Sequence, residues 1–145
     1  MKAEDFLEQV ETIDTLVKNK LIERQQWQDL AQSITAQMGG ERVQSSGNPS
    51  KMADAVIACT DMIDEINAQV KRLAIKKRDV VSAIEQLKMI EYDVLHMKYI
   101  QYKDFFEIAD KYGKDYNWAT TVHGRAKKSV QRILDERKQN ETLKT

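Results

Sequence analysis

The chain has 145 residues, and its 23 basic side chains balance 23 acidic ones, so any attraction to a polyanion has to come from a local cluster rather than from net charge. The apolar runs fall far short of the ~18 residues that span a bilayer. One cysteine, Cys59, excludes an intramolecular disulfide.

With one proline and five glycines, long stretches carry no helix breaker, and leucine, isoleucine, lysine, glutamate, glutamine and alanine dominate them. No alternation of apolar and polar residues suggests a sheet, so the expected fold class is all-α: a long antiparallel helical hairpin, coiled-coil in character, followed by a helix-turn-helix domain. The N-terminal MKAEDFLEQV is acidic and amphipathic rather than a basic stretch leading into an apolar core, which predicts a cytoplasmic protein without membrane attachment.

The first predicted helix carries Phe6, Val10, Ile13, Val17, Lys20, Arg24, Trp27, Ala31, Ile34 and Met38 at alternating spacings of about four and three. Lys20 and Arg24 form its weak layer, where long stems can lie along the seam while the charges reach water. Gly39 to Ser50, GGERVQSSGNPS, is the only glycine-rich, proline-containing region and predicts a reversing loop. Gly39 closes the first helix there, and Pro49 or Ser50 opens the second. Its polar residues Arg42, Gln44, Ser45, Ser46 and Asn48 read as a solvated turn, although twelve residues exceed what two helices need and leave room for a partner contact.

The second helix is more regular. Met52, Val56, Cys59, Ile63, Ile66, Val70, Leu73, Lys77, Val80, Ile84 and Leu87 follow a 4, 3 spacing, with Lys77 the one charge on the seam and Cys59 a small buried hydrophobe. At ~1.5 Å per residue it predicts a rod on the order of 55 Å. Leu7, Leu16, Leu21 and Leu30 widen the first stripe, and Met62 and Val81 the second, so a further surface has to pack there: the C-terminal domain or a second copy. Lys71, Arg72, Lys76, Lys77 and Arg78 put five bases in eight positions. Charge pairing with the seven acidic residues of Met1 to Met38 accounts for several, and the remainder could extend a phosphate-contacting surface.

Tyr102 to Lys127, YKDFFEIADKYGKDYNWATTVHGRAK, predicts a helix-turn-helix. Ala109 is small where two helices cross, Gly113 suits the left-handed end of the first helix, Asp115 can cap the second, and Ala119 and Val122 face inward. From Tyr116 to Leu134 the bases Arg125, Lys127, Lys128 and Arg132 occur with no acid. A solvated basic face is the bland explanation. Together with the turn spacing, the run favours double-stranded DNA as the partner. The candidate DNA-binding residues are Tyr116, Asn117, Trp118, Thr120, Thr121, Arg125, Lys127 and Lys128. The expected boundaries are 1–88 for the hairpin with its loop at 39–50, 89–138 for the helix-turn-helix domain, and 139–145 for a flexible tail.

Glu91 to Val130, with YDVLHMKYI leading into FFEIADKYG and VHGRAKKSV, resembles region 4 of bacterial sigma factors. Gly40 to Asn48 and Tyr92 to Ala126 together resemble the phage-encoded RinA and ArpU transcriptional regulators, which combine a helical hairpin, a GERVQSSGN-like loop and a sigma-like helix-turn-helix ending in H-G-R-A. The resemblance implies an activator acting with host RNA polymerase at phage late promoters, in the bacterial cytoplasm. It would put base or backbone contacts at Tyr116, Asn117, Thr120 and Thr121, with Arg125 nearer the phosphates. Ala119 departs from the larger aliphatic of the sigma pattern, Asp115 from its serine and Tyr112 from its leucine; Trp118 or Tyr112 could fill the space at the expense of DNA contact.

Neither His96 nor His123 has a companion ligand at metal spacing, and no phosphate loop or serine elbow occurs, so no enzymatic activity, metal or cofactor is expected. His123 reads as a packing or phosphate-facing residue. A homodimer would suit a DNA reader with two half-sites. The alternative class is a coiled-coil interaction protein that binds RNA polymerase or another host protein without reading DNA.

Overall fold

The computed structural model describes residues 1–38 and 49–144. Every regular element among them is helical: α1 (Ala3–Met38), α2 (Pro49–Ile84), α3 (Met89–Leu95), which passes directly into a π-helical turn (His96–Ile100), α4 (Phe105–Lys111) and α5 (Tyr116–Lys144). The protein is all-α, with a long antiparallel helix pair ahead of a helix-turn-helix, as the periodicity predicts. The expectations for Gly39 to Asn48 lie outside the described residues. Of the two starts that the sequence allows, α2 takes Pro49, whose missing N–H removes no hydrogen bond at the first helical position.

Contacts divide the chain into two compact units, residues 1–14 with 75–145 and residues 15–74. The sequence boundary at 88 thus falls inside the first unit. In that unit Ala3, Phe6, Leu7 and Val10 of α1 pack with Val80, Ala83 and Ile84 of α2, Leu95 of α3, and Ala126 and Val130 of α5. The start of α1 meets the end of α2, so the pair is antiparallel, and Lys77 reaches Asp14 at 2.8 Å. The extra apolar width at Leu7, which is fully buried, is covered by the C-terminal helices of the same chain. Polar contacts hold the same junction. The Ala3 amide donates to Gln131 Oε1 (2.7 Å), Ser129 Oγ to Glu91 (2.9 Å), and Arg137 Nη1 to Asp79 (3.1 Å).

Two boundaries differ from the sequence expectations, and a turn between α3 and α4 is additional to them. α2 ends at Ile84, and the amides of Gln86 and Leu87 donate to the carbonyls of Ala83 (3.2 Å) and Ile84 (3.1 Å), so Leu87 packs on the core from a turn instead of a heptad position. No glycine or proline marks this stop; the shared core turns the chain. The π-helical turn is closed by Tyr102 at φ +59°, a conformation that disfavours a side chain. Its hydroxyl donates to Asp14 (2.5 Å), and the Lys103 amide donates to the Met97 carbonyl (2.8 Å). Finally, α5 runs to Lys144, through the segment 139–144 expected to be a tail, because no breaker follows Gly124 and the residues are mostly good helix formers.

In the unit of residues 15–74, Cys59 and Ile66 are buried, and Arg24 Nη1 donates to Asn67 Oδ1 (2.8 Å), again pairing α1 and α2. Leu16, Leu21, Ile22, Leu30 and Ile57 stay exposed there. No helix among the described residues is long and apolar enough to cross a membrane.

Candidate nucleic-acid interface

The turn between α4 and α5 is built from local chemistry. Asp104, in an extended conformation before α4, accepts from the Glu107 amide (2.9 Å) and starts the helix. Gly113 at φ +63° ends it: the Lys114 amide donates to the Ala109 carbonyl (2.9 Å) and the Gly113 amide to that of Asp110 (3.1 Å), the paired bonds of a Schellman motif. Two residues on, Asp115 Oδ1 accepts from the Trp118 amide (2.8 Å) and caps α5. Ala109, Ala119 and Val122 are buried together with Val94, Met97 and Ile108, so the small residues do sit where α4 and α5 cross.

Aromatic side chains cover the core that contains Ala119. Tyr112 and Trp118 pack on this core with ring centroids 5.1 Å apart. The Tyr112 hydroxyl donates to Asp93, which also receives Lys111 Nζ at 2.6 Å. Burial works against the Asp93 charge, but the bonds from Lys111 and Tyr112 outweigh it and hold the carboxyl below its ordinary range, while burial and the same carboxylate push the Tyr112 hydroxyl up to about 12. Tyr112 therefore supplies what an aliphatic residue would, with its polar end satisfied.

The eight candidate residues divide by surroundings. Asn117, Thr121, Arg125 and Lys128 are exposed and spaced four, four and three, which gives one stripe along α5. Thr120 is half-buried beside them. Both threonine hydroxyls donate to the Asn117 carbonyl, Thr120 at 3.0 Å and Thr121 at 2.7 Å, so their remaining lone pairs can accept from an amino group. Tyr116 is exposed and lies against Phe106 (centroids 4.7 Å) and Phe105 (5.7 Å). Lys127 is half-buried, and Trp118 is drawn into packing on Tyr112.

His123 faces the fold. Its Nε2 shares a 2.8 Å hydrogen bond with the Tyr99 hydroxyl, and its ring lies 5.0 Å from that of Phe105, edge to face. Burial first, then Lys127 and Lys98, lower its pKa to about 4, so its ring is neutral near pH 7 and packs on Tyr99 and Phe105. Phe106 was not among the sequence candidates, yet it is 69% exposed beside Tyr116. The adjacent pair Phe105 and Phe106 is the available signal, since on a short helix packed on one side only one of two neighbours can face the core. Of the basic run on α2, Lys77 pairs with Asp14, and among the described residues Lys71, Arg72, Lys76 and Arg78 form no ion pair. Comparison with family models, with curated proteins and with solved structures gives no match.

Proposed function

We propose that the protein is a sequence-specific DNA-binding regulator of transcription in which α5 enters the major groove. The observation that carries this role is the stripe Asn117, Thr121, Arg125 and Lys128, exposed on a capped helix with no acidic residue between Tyr116 and Leu134. Asn117 has the amide to pair bidentately with adenine, and the threonine lone pairs suit the amino groups of adenine or cytosine. Arg125, Lys127 and Lys128 lie further along the helix, as expected of phosphate contacts at the groove edge. Trp118 is left out of the reading set because its ring is used in packing. The resemblance to sigma region 4 and to the RinA and ArpU regulators supports an activator of phage late promoters working with host RNA polymerase in the bacterial cytoplasm, and a homodimer would suit a reader of two half-sites.

Selection of bound duplexes from a randomised pool, followed by titration at several salt concentrations, tests this role. Asn117→Ala should lose about 1–3 kcal/mol of preference at its base, whereas Arg125→Ala and Lys128→Ala should weaken all duplexes alike and reduce the salt slope by about 1 each. Equal losses on selected and random DNA from every substitution would sink the division between readers and phosphate contacts. Absence of any duplex binding at low salt would favour the second role, a protein-docking adaptor, which the exposed Leu16, Leu21, Ile22, Leu30 and Ile57 of residues 15–74 support.

A further inference from the structure

Gly124 lies at the ninth position of the 29-residue helix Tyr116–Lys144, where glycine is the least favourable residue after proline. Two internal causes ordinarily account for a glycine. Gly113 shows the first, a left-handed backbone at φ +63°. Gly124 has no such backbone, and the second cause, a close neighbour, is also missing: a β-carbon built there meets nothing within 4 Å. Alanine would fit the fold and favour the helix, so the need for glycine lies outside the chain.

Its surroundings point to what comes close. Residues three and four positions away share its face, namely Thr120 and Thr121 one turn before and Lys127 and Lys128 one turn after. Val122 and Ala126 occupy the buried side of the same turn. Gly124, itself half-buried, is thus a notch between two threonines and two lysines, with open space where its side chain would stand. A phosphodiester strand matches it in charge, because the phosphates can meet the lysines while a sugar lies over the helix backbone at a position without a side chain.

We propose that the notch at Gly124 seats one sugar–phosphate strand of the bound duplex and sets how deeply α5 enters the groove. This inference rests on the DNA-binding role and adds to it a contact that is independent of sequence. Gly124→Ala should melt at the same temperature as the wild type or higher, yet bind both a selected duplex and a random-sequence duplex about tenfold or more weakly, and Gly124→Leu should lose more. Wild-type protein that binds neither duplex at low salt would remove the DNA-binding role and the notch with it. Wild-type binding with undiminished affinity in Gly124→Ala would overturn the notch alone. A lowered melting temperature in Gly124→Ala would locate the need for glycine inside the fold, and a loss confined to the selected duplex would indicate contact with base edges; either result overturns the proposal.

Discussion

His123 sits on the helix proposed to read DNA, yet its ring is turned to Tyr99 and Phe105. Its pKa is lowered from an ordinary 6.5 to about 4, so between those values the unfolded chain binds a proton that the native chain refuses. This group therefore takes stability away as pH falls from about 6.5 towards 4 and has no effect above that window. Asp93, held below its ordinary 3.8, loses its contribution only at lower pH, so the two are separable. Urea midpoints measured from pH 7 to 4 should fall in the wild type and fall less in His123→Gln, with a difference on the order of 1 kcal/mol once the ring's partial exposure is allowed for. Identical pH profiles would remove His123 from that acid sensitivity. Nothing in the sequence pairs positions 99 and 123, which is why a phosphate-facing role could be entertained for this histidine. The same limit applied to Trp118, whose ring could read DNA or fill space until Tyr112 was seen beside it.

The link between α4 and α5 is the element-scale feature most legible in the sequence, because its chemistry is local. Gly113 supplies a positive φ, and Asp115 supplies an oxygen to an amide three residues on. Gly113→Ala should cost about 1–2 kcal/mol through the left-handed conformation, and Asn at that position less. Asp115→Ala should cost about 1 kcal/mol through the lost cap. Chemical denaturation gives both values, and a Gly113→Ala variant as stable as the wild type would mean that the turn tolerates another geometry. Other boundaries were not legible. Ile84 ends α2 without a breaker, and Tyr102 closes the π-helical turn in a conformation made acceptable by a hydroxyl contact with Asp14, 88 residues earlier.

For the whole molecule, the unit that holds the helix-turn-helix also contains the first fourteen residues of the chain. Phe6, Leu7 and Val10 cover Leu95, Ala126 and Val130, and Gln131 caps the amide of Ala3. α5 belongs to two cores at once, contributing Ala119 and Val122 to one and Ala126 and Val130 to the other. A fragment of residues 89–145, cut at the boundary that the sequence suggests, should therefore lack a cooperative thermal transition, since it exposes the apolar side chains that α1 and α2 bury. A fragment that joins residues 1–14 to 75–145 through a short linker should regain one. Circular dichroism on both decides the matter, and cooperative folding of 89–145 alone would show that α1 is dispensable to this core.

By itself the sequence determined the all-α class, the two long helices, the capped turn and the charge bias of α5, because helix periodicity, capping and left-handed glycine act over a few residues. Tertiary structure alone decided which apolar width was covered within the chain, so that Leu7 is buried while Leu16 and Leu30 remain exposed. It also decided which side chains of α5 were used in packing, leaving the candidates Asn117, Thr121, Arg125 and Lys128 outward and drawing in the candidate Trp118 and, on the same helix, His123. The physical reason is that burial and long-range hydrogen bonds depend on partners tens of residues away, whose approach no local pattern encodes.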